Sequence, residues 1–276
     1  MVPSIRPTGH VVTRDGVALF RRDIGDGPPV VFLASWSLPS DSWFAQMQAL
    51  SAAGFRCLAY DRRGHGRSAD PGRGYDYDTL AEDLADVLEA HAIEDATLVT
   101  FSGAAGEAVR YLTGHGRGRV ARLAMIKPTT PLLVRRKDNP DGLDPALLEA
   151  LRAEIARDFP AWLEGAARPF GGPRASQAML DWVRGLALQS SLPALLAFHH
   201  ALSETDFRAE LRALDLPVLV IQGEADETCP LHLTGQRTAE LVPGARLLVY
   251  PGAPHGIPVS DAGRLTQDLL RFARGG

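Results

Sequence analysis

Short apolar runs that alternate with helical patterns constrain the fold of this 276-residue chain more than any other feature. Predicted strands cover residues 10–13, 17–23, 30–33, 55–60, 96–101, 120–126, 218–221 and 247–250. Apolar residues at helical spacing recur over residues 41–52, 77–92, 106–114, 231–241 and 262–273. Strands that alternate with helices build a mostly parallel sheet that is covered on both faces. The sequence therefore predicts the α/β class.

Residues 128–214 interrupt this alternation with several helical patterns and no convincing strand. The candidate helices in this part are residues 145–157, 177–188 and 193–202. Because α/β chains of this length often form a single unit, we expect one main domain. Residues 1–127 and 215–276 would form its core, and residues 128–214 would be a helical insertion.

Ser102 stands where a predicted strand meets a predicted helix. Residues 96–107 read ATLVTFSGAAGE, which is a β-branched strand, one serine and then small residues. Such a turn lifts the serine hydroxyl above the sheet and places backbone N–H groups at a helix N-terminus. The usual pattern is G-x-S-x-G, and here Thr100 and Ala104 replace both glycines. Taken alone, the motif fits an ordinary polar turn as well as it fits a nucleophile.

An acid and a histidine follow the last two predicted strands. The segment PVLVIQGEAD puts Asp226 in the loop after a buried strand, and LLVYPGAPHG puts His255 in the loop after the next one. Because the carboxyl ends of parallel strands meet at one edge of the sheet, both side chains can reach Ser102. The order Ser, Asp, His along the chain is that of the α/β-hydrolase triad. Glu224 is the nearest rival acid.

Each of these residues has an ordinary interpretation when it is taken alone. Asp226 is then a turn carboxylate, and His255 is a solvated loop histidine. Three such residues in this order, each just past the end of a different predicted strand, are hard to explain as coincidence. We therefore interpret Ser102 as a nucleophile, His255 as its general base and Asp226 as the acid that orients the imidazole. This chemistry needs no metal and no organic cofactor.

Four segments resemble the cofactor-free haloperoxidase and aryl-esterase branch of the α/β-hydrolase superfamily. They are DRRGHGRS at residues 61–68, SETDF at 203–207, GEAD at 223–226 and YPGAPHG at 250–256. The resemblance implies the α/β-hydrolase fold, with a mostly parallel eight-stranded sheet, helices on both faces and residues 128–214 as a helical cap. It implies a small-molecule substrate, a small to medium carboxylic ester or lactone. Perhydrolysis, which makes peracids from carboxylic acids and hydrogen peroxide, is the alternative activity.

The same resemblance implies two backbone donors for an oxyanion hole. Trp36 falls where the first N–H of the family comes from, and Gly103, directly after the nucleophile, would supply the second. The family usually has His-Gly before this aromatic residue, whereas this chain has Ala34 and Ser35. Together with Thr100, these departures leave a third interpretation open, namely a ligand-binding protein that keeps the fold but has little turnover.

Apolar residues of the expected cap are candidates for a substrate pocket. They are Leu132, Phe159, Trp162 and Phe198. Packing within the cap is the competing role for each of them. Phe101 is a fifth candidate, because it directly precedes the nucleophile.

Composition argues against several other functions. The net charge of −4, with dispersed arginines, disfavours binding to nucleic acid. The two cysteines, Cys57 and Cys229, form neither a disulfide framework nor a metal-spaced cluster. Residues 1–8 lack a targeting pattern, and no apolar run is long enough to span a membrane. We expect a cytoplasmic protein without membrane contact, and the sequence leaves open whether it is a homo-oligomer.

Overall fold

The computed structural model describes residues 4–116 and 118–276, and its sheet has eight strands in the order β1-β2-β4-β3-β5-β6-β7-β8. The strands are β1 (Gly9–Val12), β2 (Ala18–Ile24), β3 (Pro29–Leu33), β4 (Arg56–Tyr60), β5 (Ala96–Phe101), β6 (Val120–Ile126), β7 (Val218–Gly223) and β8 (Arg246–Tyr250). Strand β2 pairs antiparallel with β1 and β4, and the other neighbouring strands pair in parallel. The predicted mostly parallel sheet is confirmed. The expected core range 1–127 includes residues 1–3 and 117, which lie outside the described residues.

Helices occupy the connections between the strands. They are α1 (Phe44–Ala52), α2 (Tyr77–Ala90), α3 (Ala104–Gly114), α4 (Pro145–Arg157), α5 (Phe159–Gly171), α6 (Gln177–Ala187), α7 (Leu192–Glu204), α8 (Arg208–Arg212), α9 (Gly235–Leu241), α10 (Ile257–Ser260) and α11 (Ala262–Ala273). A 3-10 turn at Ser40–Trp43 leads into α1. The predicted helix 41–52 is thus divided into this turn and α1.

Side chains of the central strands alternate between two apolar cores, one on each face of the sheet. Val31 and Leu33 pack with helices α2 and α3. Val30 and Phe32 pack with α1 and α11 on the opposite face. This alternation follows from the two-residue period of a strand. Because both faces are covered, every residue of β5 and of β7 is buried, and both strands are predominantly apolar.

Helices α4 to α8 fill the segment between β6 and β7, and no strand of the sheet interrupts it. Helix α4 has the predicted bounds, whereas α5 has no counterpart among the predicted helices. Pro160, Gly165 and Pro169 hide its pattern, because proline and glycine ordinarily mark the ends of helices. The helix nevertheless forms, since Pro160 stands in its first turn and the Asp158 side chain accepts a hydrogen bond from the N–H of Ala161.

Candidate active site

Ser102 occupies the turn between β5 and α3 in the left-handed backbone conformation, with φ of 58°. Its N–H donates to the carbonyl of Ile126 at 2.8 Å, which ties the turn to the end of β6. The side chain is almost fully buried and lines a cavity beneath the helices of the insertion. A non-glycine residue at positive φ between strand and helix is the geometry of a nucleophile elbow.

Close packing around this turn depends on glycines at positions other than the two glycine positions of the G-x-S-x-G pattern. A Cβ on Gly103 would lie 3.3 Å from Leu202, and one on Gly106 would lie 2.5 Å from the ring of Tyr77. Thr100, by contrast, is fully buried in β5 and directs its hydroxyl toward the carbonyl of Ala124, 3.5 Å away. The sheet therefore accommodates the threonine, and the tight packing falls on Gly103 and Gly106.

The structure brings Ser102, His255 and Asp226 together from three different strand ends. Nε2 of His255 lies 3.1 Å from Oγ of Ser102. Nδ1 of the same ring lies 2.8 Å from Oδ2 of Asp226. All three side chains are at least 95 % buried, so the imidazole links hydroxyl and carboxylate away from bulk water. This geometry allows the ring to accept the serine proton while the carboxylate stabilises the resulting cation.

Asp226 is held as an anion by several donors. Its Oδ1 accepts hydrogen bonds from the backbone N–H groups of Thr228 and Cys229, at 3.0 and 2.8 Å. Its Oδ2 accepts one from the side-chain amide of Gln222 at 3.2 Å. Burial by itself raises the pKa of the Asp226 carboxyl, but His255, Lys127 and these donors outweigh it and lower the pKa below its usual value. The acid therefore stays ionised at neutral pH.

The rival acid Glu224 makes a hydrogen bond elsewhere. Its side chain accepts a hydrogen bond from the N–H of Gly252 at 3.1 Å, and the residue is exposed. It thus fastens the start of the loop that leads to His255 and does not meet the imidazole.

Lys127 is a site residue that the sequence interpretation missed. It follows β6 directly and is fully buried, with its Nζ 3.4 Å from Oδ2 of Asp226. The ammonium also donates to the carbonyls of Pro254 and Ala253, just before His255, the latter at 3.3 Å. Burial lowers the pKa of this ammonium, and Asp226 opposes the effect. The available signal was a lysine at the end of a central strand, since the chain contains only one other, Lys137.

Two backbone N–H groups beside the nucleophile have no acceptor among the described residues. They belong to Trp36, in the loop after β3, and to Gly103, which precedes the first residue of α3. Trp36 and Ser102 line the same cavity. Unpaired N–H groups in a partly closed site are costly unless a ligand accepts from them, and the end of α3 adds its partial positive charge.

The loop before Trp36 is held by side chains that bind its carbonyl groups. Arg62 donates to the carbonyls of Ala34 and Ser35 at 2.8 and 3.2 Å. Nε2 of His65 lies 2.6 Å from the carbonyl of Trp36. Arg62 is itself fixed by a buried ion pair with Glu107 on α3, at 2.6 Å. These contacts hold three successive peptides in place, so the loop keeps one conformation without the usual glycine.

The cavity beside Ser102 has a volume of about 350 Å³ and a largely apolar lining. Nearly half of the lining residues come from helices α4 to α6, with Leu148, Leu163, Phe170, Leu180 and Val183 among them. Trp162, a predicted pocket residue, also lines it. The volume suits a small or drug-sized organic molecule.

Two other predicted pocket residues support the site from behind. Phe101 stacks on the imidazole of His255 with ring centroids 5.2 Å apart, and it is 1 % exposed. Phe159 packs against the rings of Trp36 and Trp162, with centroids 6.3 and 6.2 Å away. Neither Phe101 nor Phe159 is part of the cavity lining among the described residues.

The remaining two pocket predictions also fall outside the lining. Phe198 is fully buried, and the guanidinium of Arg62 lies over its ring at 4.4 Å from the centroid, beneath the elbow. Leu132 packs in a small separate cluster with Val134 and Leu148. For both, packing prevails, because their side chains fill space between elements.

The described ranges 4–116 and 118–276 contain no group of three His, Cys, Asp or Glu side chains arranged to hold a metal ion. Within the same ranges no helix is long and apolar enough to cross a lipid bilayer. The cysteines Cys57 and Cys229 are buried and unpaired.

The model of the α/β-hydrolase fold family matches residues 28–262. The chain belongs to this family. A non-heme chloroperoxidase of Kitasatospora aureofaciens is 36% identical to this hydrolase over 94% of the chain and 97% of the relative. A bifunctional esterase/perhydrolase of Acinetobacter calcoaceticus is 37% identical over 96% and 99%. The crystal structure of a bromoperoxidase from Bacillus anthracis aligns with a TM-score of 0.92 and 32% identity, over 98% of this chain and 100% of that one. The α/β-hydrolase therefore lies in the branch of non-heme haloperoxidases and perhydrolytic esterases.

Proposed function

We propose that this α/β-hydrolase is a serine hydrolase that cleaves small to medium carboxylic esters or lactones through an acyl-enzyme. One observation carries the proposal, the continuous chain of contacts from Ser102 through His255 to Asp226, at 3.1 and 2.8 Å. The similarity to a relative named as an esterase and perhydrolase supports the same reaction class.

Acylation begins when Oγ of Ser102 attacks the ester carbonyl carbon and Nε2 of His255 takes the hydroxyl proton. The alcohol then leaves with that proton, and the acyl group stays on Ser102. Water, deprotonated by His255, attacks the acyl-enzyme and releases the carboxylic acid. Asp226 keeps Nδ1 of the imidazole protonated and stabilises the cation at each step.

The N–H groups of Trp36 and Gly103 would stabilise the oxyanion that forms in both steps. Both are backbone donors without an acceptor in the part of the chain that the structure describes, which supports this role. Because Arg62 and His65 hold the carbonyls on the other side of the Trp36 loop, the donors are preorganised before substrate binds. Loss of one such donor typically lowers kcat by on the order of a hundredfold or more.

The substrate would enter between the sheet edge and helices α4 to α6, so we propose that residues 128–214 act as a cap on the core formed by residues 1–127 and 215–276. The apolar lining and the volume of about 350 Å³ suit an uncharged acyl chain of small to medium length. Trp162 would contact this chain.

Hydrolysis of a panel of p-nitrophenyl esters and lactones tests the proposal. We expect multiple turnovers by the wild-type protein and a loss on the order of a millionfold in Ser102→Ala. If an organophosphate labels Ser102 rapidly and stoichiometrically but the protein turns over no ester, the ligand-binding interpretation is favoured instead. Equal rates in the two proteins would remove Ser102 as the nucleophile.

Perhydrolysis is the second candidate, and the similarity to the esterase/perhydrolase and the non-heme chloroperoxidase favours it. Hydrogen peroxide would replace water as the attacking group, so that an acyl-enzyme made from a carboxylic acid yields a peracid. Peroxide-dependent halogenation in acetate buffer measures this reaction, with Ser102→Ala as the control.

A further inference from the structure

His199 is a polar side chain in the largely apolar cavity, and its ring has no hydrogen-bond partner among the described residues. It lies on α7, lines the cavity that contains Ser102 and is 8 % exposed. Its Nδ1 is fully buried and has no hydrogen-bond partner among the described residues. A buried polar atom without a partner is costly, so a histidine at this position calls for a functional explanation.

The two ring nitrogens of His199 differ in what can reach them. Nδ1 is sealed off, so Nε2 is the nitrogen through which this cavity-lining ring can meet a ligand. Burial, assisted by the positive charge of Arg152, lowers the pKa of His199 to about 4. The ring is therefore neutral at pH 7 and carries one N–H. A buried N–H without an acceptor is rarer and costlier than a buried acceptor without a donor. Nδ1 is therefore the unprotonated nitrogen, and the proton belongs on Nε2.

The position of His199 places this donor close to the reacting atoms. Its ring packs edge-on against Trp36, with centroids 5.6 Å apart. One turn further along α7, Leu202 lies 3.3 Å from the place of a Cβ on Gly103. Helix α7 thus lies against both residues of the proposed oxyanion hole, with His199 against the ring of Trp36 and Leu202 against Gly103.

We propose that His199 is a specificity-determining residue, and that its Nε2–H donates a hydrogen bond to a second oxygen of the substrate. The ligand is an ester whose acyl chain is apolar apart from one additional acceptor, a ketone being the simplest form. This inference rests on the proposed hydrolase function. A site built to hydrogen-bond one substrate group discriminates strongly against the analogue that lacks it, because the donor is then left unpaired.

The test compares ethyl hexanoate with its 3-oxo, 4-oxo and 5-oxo analogues. For the wild-type protein and for His199→Leu, kcat/KM for each oxo ester is divided by kcat/KM for ethyl hexanoate. The two ratios are then compared, so that the intrinsic reactivity of each ester cancels. We expect the leucine to lower the ratio about tenfold for at least one oxo ester. His199→Gln, which retains an N–H donor, should restore part of the preference. The control is His200→Leu, the exposed neighbour on α7.

Binding to Ser102→Ala gives a readout that does not need turnover. Quenching of the fluorescence of Trp36 and Trp162 should report tighter binding of the preferred oxo ester than of ethyl hexanoate. The double variant with His199→Leu should lose this difference. An unchanged ratio in both assays would overturn the role of His199, whereas failure of the wild-type protein to hydrolyse any ester, with the binding preference intact, would count against the hydrolase function alone.

Discussion

The ammonium of Lys127 lies 3.4 Å from the carboxylate of Asp226, and both side chains are fully buried. The same ammonium binds the carbonyls of Ala253 and Pro254, immediately before His255. One cation therefore joins the loop that carries the acid to the loop that carries the base. Its effect is to fix the relative positions of the two groups that must meet through a 2.8 Å contact.

Replacement of Lys127 by methionine is expected to lower kcat by about tenfold to a hundredfold, since small displacements of a catalytic group have effects of that size. The free energy of unfolding should fall by about 3 kcal/mol, because a buried ion pair loses one partner. Ester turnover and urea unfolding measure the two effects. Lys137→Met, at an exposed position, is the control. Wild-type kcat in Lys127→Met would show that Lys127 does not position the triad.

Replacement of Asp226 by asparagine should lower kcat by on the order of ten-thousandfold, because an amide cannot hold the imidazole in the required tautomer. Glu224→Gln should stay close to wild type, since that exposed carboxylate accepts a hydrogen bond from the N–H of Gly252 and is not bonded to the imidazole. Both are measured on the same ester at neutral pH. A mild Asp226→Asn effect beside a severe Glu224→Gln effect would move the acid to Glu224.

Replacement of Gly106 by alanine should lower the free energy of unfolding by about 1–3 kcal/mol, because the added methyl group overpacks the turn. Its Cβ would lie 2.5 Å from the ring of Tyr77 and 2.6 Å from that of Phe207. Gly114→Ala, at the open end of the same helix, should instead stabilise by less than about 1 kcal/mol. Equal urea midpoints for the two variants would contradict the close approach at Gly106.

The strands and helices, and their succession along the chain, follow from patterns that are local in the sequence. Strand β5 and helix α11 have the predicted bounds, because apolar runs and helical spacing are dictated by burial on one or both faces. Helix α5 was missed because its prolines and glycines predict a break in the helix despite its apolar spacing. In the folded protein, tertiary packing overrides this low helix propensity. The omission of α5 from the prediction matters because this helix supplies a large part of the cavity wall.

The proximity of Ser102, Asp226 and His255 could be predicted, because it depends only on their order along the chain and on their positions at strand ends. The pocket could not be predicted, because lining a cavity depends on the direction of each side chain. Phe198 and His199 are neighbours on one helix, yet the first packs beneath the elbow and the second faces the cavity. Lys127 was missed for a related reason, since its place at a strand end is visible in the sequence but its burial beside the Asp226 carboxylate is not.

Covalent labelling with diethyl p-nitrophenyl phosphate tests the central claim most directly, because the reagent reports an activated serine whatever the natural substrate is. The account predicts release of one equivalent of p-nitrophenol and a phosphorylated peptide that contains Ser102. Ser102→Ala should release none, and His255→Asn should react far more slowly, since the hydroxyl loses its base. Labelling of Ser102→Ala at the wild-type rate, or an adduct on another residue of the wild-type protein, would contradict it.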